Sequence, residues 1–135
     1  MGCDDYRNYE QDFGASPKDT TANAYTFDNY QDDAGITAIY PGANTGSDTA
    51  LSYLCLKLNG EAGEVGEAYA KFLRGDYDWP ECKRRIRKEI GDTTWYLSQI
   101  CRELGDSFGD VAVDNIRKLA DRKQRGVLRG SGDDR

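Results

Sequence analysis

Residues 48–73, DTALSYLCLKLNGEAGEVGEAYAKFL, decide the fold of this chain. Their apolar positions recur in alternating steps of three and four, the period of an amphipathic helix. These positions are Leu51, Leu54, Leu58, Ala62, Val65, Tyr69 and Phe72. Gly75, a residue type that commonly follows the last turn of a helix, comes shortly after. The pattern therefore predicts a long helix from Asp48 to Leu73.

Three further helices are predicted outward from this segment. Thr26 can cap a short helix from Phe27 to about Tyr40, and Ser107, with Asp110 three residues on, can cap a last helix that reaches about Arg125. Between them, a second long helix starts at Pro80 and runs to about Leu104, where Gly105 ends it. Its expected inner face is Ile86, Ile90, Thr93, Leu97, Ile100, Cys101 and Leu104.

The expected fold class is all-α, in one domain. Residues 1–25 show no sustained periodicity and are expected to form a peripheral arm, which leaves residues 26–135 as the domain.

The composition removes many catalytic classes, because the 135 residues include no histidine. Ser-His-Asp hydrolases, Cys-His proteases, HExxH zinc peptidases and Glu-x-x-His di-iron sites are excluded. The cysteines do not form CxxC pairs, which favours buried or incidental thiols in a reducing compartment. They are Cys3, Cys55, Cys82 and Cys101. Chemistry must therefore use carboxylates, Lys, Tyr, Cys or a carboxylate-bound metal.

The charge distribution limits the partners. The net charge is −6, and no broad basic face for a nucleic-acid polymer is implied. The basic stretch at 117–129 is, on its residues alone, typical of a solvated helix face. No apolar run is long enough to span a membrane and no leader pattern opens the chain, so we expect a cytoplasmic protein without a membrane partner.

Two acidic pairs stand out: Glu61-Ala-Gly-Glu64 and, after 24 residues, Glu89-Ile-Gly-Asp92. At about 100° per residue, both pairs fall on the same-handed shoulder of their apolar stripes. The short connection 74–80 makes the two long helices antiparallel neighbours. Each pair then lies roughly 14–16 Å from that connection. We therefore expect the four carboxylates to converge.

Four converging carboxylates repel one another unless something neutralises them. With oxygen ligands alone, Mg²⁺ or Mn²⁺ fits best, although ordinary exposed acids are the simpler alternative. Glu67 points away from the stripe and is expected at the surface. Gly60, Gly63 and Gly66 form a smooth strip that suggests close approach by another backbone, in this chain or in a partner. Trp95 lies opposite its own stripe and is expected to be exposed in a monomer.

The acidic quartet resembles the ExxE…ExxD arrangement of MazG-like nucleoside triphosphate pyrophosphohydrolases, in particular short single-domain proteins often carried by phages. Further segments carry the resemblance over about residues 28–135. They are Tyr30-Gln31, Thr37-Ala-Ile-Tyr-Pro41, Gly60-Glu-Ala-Gly-Glu-Val65, Glu89-Ile-Gly-Asp-Thr-Thr-Trp-Tyr96, Asn115-Ile-Arg-Lys-Leu119 and Gly130-Ser-Gly-Asp133. The resemblance implies a four-helix bundle whose helices pack across a homodimer or homotetramer.

The resemblance also implies hydrolysis of a (d)NTP at the α-phosphorus to the monophosphate and pyrophosphate. Glu61, Glu64, Glu89 and Asp92 would then hold two or more Mg²⁺ or Mn²⁺ ions, and Glu64, with Glu61, would act on the attacking water. Asn115, Lys118 and Arg122 match the family segment near the phosphates and share one helix face. Tyr96 can flank the ribose or base. Because some phage relatives, the MazZ type among them, favour guanine nucleotides, (d)GTP is the expected substrate.

Two rival functions remain open on the sequence. One is a non-catalytic helical interaction module with an acidic, metal-binding groove. The other is a metal-dependent hydrolase of the same family group that acts on diphosphates or another phosphoanhydride. Product identity separates the second, since only a triphosphate cleaved at its α-phosphorus releases pyrophosphate.

Overall fold

A computed structural model describes residues 25–130, which form four helices and no strands. The helices are α1 (Phe27–Gly35), α2 (Asp48–Leu73), α3 (Trp79–Leu104) and α4 (Phe108–Gln124). The predicted all-α class is confirmed. Cys3, nearly all of the arm predicted for residues 1–25, and the tail segment 131–135 lie outside the described residues.

Side-chain caps explain where the helices begin. Each helix is preceded by a residue whose side-chain oxygen accepts a hydrogen bond from the backbone N–H three residues on, which satisfies a donor that the helix leaves unpaired. These residues are Thr26, Ser47, Asp78 and Ser107. The predicted bounds of α2 are confirmed, and Gly105 ends α3 in the left-handed conformation, with φ of 78°.

The prediction that the first helix extends to Tyr40 is wrong, because α1 ends at Gly35. The carbonyl of Ala34 accepts from the backbone N–H of Thr37 (3.0 Å) and from its hydroxyl (2.7 Å), which closes a turn. Pro41 disfavours a helical conformation at Tyr40. The chain therefore turns after α1 and carries Tyr40 into the core.

α2 and α3 form the main packed pair, joined by the short connection 74–78. Near that connection the Cys82 thiol faces the carbonyl of Ala68 at 3.9 Å. At the other end Leu54 is fully buried in a cluster against which Tyr96 packs. These contacts fix an antiparallel register in which the middle of α2 faces the middle of α3.

The expected inner face of α3 is partly wrong. Ile90, Leu97 and Leu104 are 53%, 40% and 59% exposed. The buried residues of α3 are instead Cys82, Glu89, Ser98, Gln99, Cys101 and Glu103. The helix is thus rotated from the orientation that its aliphatic residues indicate. On α2, Leu54 is the one stripe residue that is buried, while Ala62 and Tyr69 are exposed. Both helices therefore present apolar side chains on the surface of a single chain.

α1 and α4 pack against α3 and against each other, whereas α2 packs only against α3 among the described helices. Gln31 joins three helices: its Nε2 donates to the carbonyls of Ser98 (3.2 Å) and Asp106 (3.0 Å), and its Oε1 accepts from the Phe108 N–H (3.2 Å). Phe27 meets the Phe108 ring edge-on at 5.0 Å. α1 therefore fixes the junction between α3 and α4.

A buried carboxylate holds the loop before α2. Glu103 Oε1 accepts from the Tyr40 hydroxyl and the Asn44 N–H (2.7 Å), and Oε2 accepts from the N–H groups of Thr45 (3.1 Å) and Gly46 (2.7 Å). Burial alone would raise the pKa of Glu103, but these donors lower it below the usual 4.5. Burial, and the hydrogen bond to Glu103, raise the pKa of Tyr40. No feature of the sequence pattern indicated this network.

The expected exposure of Trp95 is wrong, and the approach of another backbone to the glycine strip is not found within the described residues. Trp95 is partly buried rather than exposed, because its Nε1 donates to Thr37 Oγ1 (2.8 Å) and its ring packs edge-on against Tyr40. A Cβ added at Gly60, Gly63 or Gly66 would have no described atom within 4 Å. The described part of this chain therefore supplies no backbone that approaches the glycine strip.

None of the described helices combines the length and the apolar character that crossing a lipid bilayer demands.

Candidate metal centre and nucleotide groove

Three carboxylates meet between the middle of α2 and the middle of α3. Glu61 comes from α2, and Glu89 and Asp92 lie one turn apart on α3. One oxygen from each lies within 4.8 Å of the others. Glu89 is 8% exposed, and the other two are partly buried. The antiparallel register accounts for the meeting, because each acid lies at a similar distance from the connecting turn.

Glu64, the fourth predicted ligand, is placed differently. It is exposed and lies outside the group of three, yet it lines a small cavity that Glu89 also borders. Glu67 is exposed and pairs with Lys71 at 2.9 Å, in agreement with its expected surface position. The structure thus brings together three of the four predicted ligands and leaves Glu64 beside them.

Two lysines that the sequence reasoning missed face the acids. Lys57 Nζ lies 3.7 Å from Glu61 Oε1, and Lys88 Nζ lies 3.4 Å from oxygens of both Glu89 and Asp92. Hydrogen bonds to Asp92 and then Glu89 raise the pKa of Lys88. The sequence feature that could have revealed these lysines is their i,i+4 spacing, from Lys57 to Glu61 and from Lys88 to Asp92. These lysines partly neutralise the site in the absence of metal.

The donor set fits a hard divalent cation. All three groups are carboxylates, the ligands that Mg²⁺ and Mn²⁺ prefer. Glu89 Oε2 is buried and has no hydrogen-bond partner among residues 25–130. A buried carboxylate oxygen left unpaired is costly, so an electropositive ligand at this atom would remove a real penalty.

Aromatic side chains line the groove beside the acids. A cavity of about 330 Å³ is bordered by Glu61, Asp92, Trp95 and Tyr96. The rings of Trp95 and Tyr96 meet edge-on, with centroids 4.9 Å apart. Burial raises the pKa of Tyr96, and the nearby carboxylates add to that rise. The structure thus places Tyr96 in the same cavity as Glu61 and Asp92.

The predicted phosphate-binding residues lie on α4. Asn115 and Lys118 are exposed and Arg122 is buried. α4 makes no packing contact with α2 in the described part of the chain. The helices of one chain therefore do not pack these residues against the helix that carries Glu61.

In the helical part of the chain that the structure describes, a carboxylate cluster beside an aromatic cavity is an arrangement that can hold a divalent cation against a phosphate. The MazG nucleotide pyrophosphohydrolase domain matches residues 49–127, which include all four predicted ligands and the whole of α4. The chain therefore belongs to the MazG family and is a nucleotide pyrophosphohydrolase. Enzymes of this family generally use divalent metal ions.

A phage protein is similar over most of this chain. The Gene 37 protein of Mycobacterium phage L5 is 43% identical over 112 residues, which are 80% of this chain and 97% of the phage protein. No solved structure matches the chain significantly.

Proposed function

We propose that the enzyme hydrolyses a (d)NTP at the α-phosphorus. Water attacks the α-phosphorus, and the bond between this phosphorus and the oxygen that bridges it to the β-phosphorus breaks. The products are the (d)NMP and pyrophosphate. The observation that carries the proposal is the convergence of Glu61, Glu89 and Asp92, with a buried oxygen on Glu89 that finds no hydrogen-bond partner within residues 25–130. A triphosphate binds divalent metal ions through its phosphate oxygens, so a metal ion can be held by the triphosphate and the carboxylate cluster together.

Glu61, Glu64, Glu89 and Asp92 would hold Mg²⁺ or Mn²⁺, with two or more ions per site. When bound, the ions supply electrostatic stabilisation of the phosphates and a more acidic water. Glu64, exposed beside the cluster, is the proposed residue that orients the water and takes its proton, with Glu61 as its partner. Side chains fixed on two packed helices suit this task, because their positions are set by the register.

Tyr96 is the proposed contact for the ribose or base, supported by its place in the cavity next to Asp92. Asn115, Lys118 and Arg122 are the proposed phosphate contacts. Within the described chain α4 packs against α3 but not against α2, the helix that carries Glu61 and Glu64, and we propose that a second copy completes the site by supplying these contacts. The exposed face formed by Ile90, Leu97 and Leu104 supports assembly as a homodimer or homotetramer, because a large apolar surface favours association.

The proposed domain spans residues 26–135, wider than the 49–127 match, and the packing of α1 onto α3 and α4 supports its N-terminal limit. The proposed substrate is (d)GTP. A turnover panel of the eight common NTPs and dNTPs with Mg²⁺ or Mn²⁺ tests both reaction and base. Release of pyrophosphate and monophosphate is expected, fastest with a guanine nucleotide. Turnover of diphosphates to phosphate instead would replace the proposal with the related hydrolase.

A further inference from the structure

Two cavities lie on opposite sides of the carboxylate cluster along the α2–α3 groove. The first contains Trp95 and Tyr96, which follow Asp92 toward the end of α3. The second, of about 80 Å³, lies toward the connecting turn and is lined by two cations, Lys71 and Arg85, and by three acids, Glu64, Glu67 and Glu89. Glu89 belongs to both the cluster and the second cavity. The groove therefore has two aromatic rings at one end and two cations at the other, and of the three acids around those cations Glu64 and Glu89 are proposed metal ligands.

The two ends suit different parts of one ligand. Aromatic faces stack on nucleobases, whereas Arg and Lys bind phosphate oxygens. In a triphosphate cleaved at its α-phosphorus, the nucleoside and the leaving pyrophosphate lie on opposite sides of the reacting atom. With the reacting phosphorus at the carboxylates, and with Glu64 and Glu89 neutralised by metal, the base would occupy the aromatic end and the pyrophosphate the end that carries Lys71 and Arg85.

The two cations are held by partners that can be exchanged. Arg85 donates to Glu81 at 2.8 Å, and its guanidinium lies 4.8 Å from the centre of the Tyr77 ring. Lys71 pairs at 2.9 Å with Glu67, a side chain that is 59% exposed. Exposed ion pairs of this kind contribute little, so replacing a carboxylate partner by a phosphate oxygen costs little.

We propose that Lys71 and Arg85 form the binding subsite for the leaving pyrophosphate, and that the nucleotide lies in the groove with its base toward Tyr96. This orientation rests on the proposed function, but the subsite can be tested without turnover. The probes are inorganic pyrophosphate and a nucleoside monophosphate, each titrated separately into the Mn²⁺-loaded enzyme by calorimetry.

Arg84 provides a matched control for Arg85. Both side chains pair with Glu81, at 2.7 and 2.8 Å, but only Arg85 lines the cavity. Arg85→Gln and Lys71→Gln should each weaken pyrophosphate binding at least about tenfold, the usual scale for one charge-assisted contact, and change monophosphate binding less than about twofold. Arg84→Gln should change neither, and Arg85→Lys should recover part of the loss.

The outcomes separate this subsite from the proposed function. Normal triphosphate turnover with unchanged pyrophosphate affinity in both variants would overturn the subsite and leave the proposed function standing. A wild-type protein that turns over no triphosphate, yet binds pyrophosphate through Lys71 and Arg85, would refute the proposed function and support the subsite. Weakened binding of the monophosphate, alone or equally with pyrophosphate, would overturn the orientation.

Discussion

Glu103 offers the sharpest test of what holds this fold together. Its two oxygens accept four hydrogen bonds, one from the Tyr40 hydroxyl and three from consecutive N–H groups of the loop before α2. In Glu103→Gln one oxygen is replaced by an amide group that donates. Two of the four donors then lose their acceptor. The substitution keeps the shape of the side chain, so the change in stability reports on hydrogen bonding and charge.

The magnitude follows from those two donors. A buried donor left without an acceptor costs about 1–3 kcal/mol. Because the loop residues 44–46 are themselves exposed, water can reach part of the network, which favours the lower half of the range. We expect Glu103→Gln to lower the free energy of unfolding by about 2–4 kcal/mol, a large part of the roughly 5–15 kcal/mol typical of a domain. The melting temperature should fall by about 8–15 °C.

Urea unfolding followed by circular dichroism measures this loss. Tyr40→Phe removes one donor and no acceptor, so it should cost less, about 1–1.5 kcal/mol. Glu67→Gln, an exposed carboxylate paired with Lys71, is the charge control and should stay within about 0.5 kcal/mol of wild type. A Glu103→Gln protein as stable as this control would refute the reasoning.

Acidification gives an independent check. The pKa of Glu103 is lower in the folded protein than its usual 4.5, so the unfolded chain binds the proton first. The contribution of Glu103 is therefore complete above about pH 4.5 and is lost as the pH falls through the folded value. The stability gap between wild type and Glu103→Gln should be constant near neutral pH and narrow below pH 4.5. A gap that widens on acidification would contradict the direction of this shift.

Three further predictions concern the site and the assembly. Glu61→Gln or Asp92→Asn should abolish turnover and leave the helical circular dichroism spectrum and the metal-free stability undiminished, because removing one acid relieves repulsion; a near wild-type rate would remove the metal site. Mg²⁺ or Mn²⁺ should raise the melting temperature, and a non-hydrolysable (d)NTP analogue should raise it further only with metal. At a hundredfold excess over Kd the analogue adds about 2.7 kcal/mol to the free energy of unfolding, and equal shifts with a chelator would place the nucleotide elsewhere. Leu97→Glu should dissociate the oligomer in sedimentation and reduce activity. Mixing inactive Glu61→Gln protein with inactive Lys118→Ala protein should restore part of the activity, because a mixed oligomer contains one intact site. A monomeric, fully active wild type would refute the predictions for Leu97→Glu and for the mixture.

The sequence by itself determined the two long helices, the start of α1 and the approximate meeting of the acids. Periodicity and caps are local, so Ser47, Asp48 and Leu73 bound α2 without reference to the rest of the chain. The distances of Glu61 and Glu89 along their helices from the short connection followed from counting residues. In an antiparallel pair, residues at similar distances from the connection lie opposite each other. The ExxE…ExxD motif in the same helices indicated a nucleotide pyrophosphohydrolase.

Only the tertiary structure decided which faces are inside. In the single chain Ile90 and Leu97 are exposed and Glu103 is buried, the reverse of what hydrophobicity indicates. Glu103 can be buried because it finds its donors in a loop about 60 residues away in sequence. Trp95 is likewise partly covered by the turn after α1. Hydrophobic periodicity indicates which residues favour burial, but the residues that cover them come from distant parts of the sequence. Burial of polar residues depends on such partners, and local sequence does not encode them.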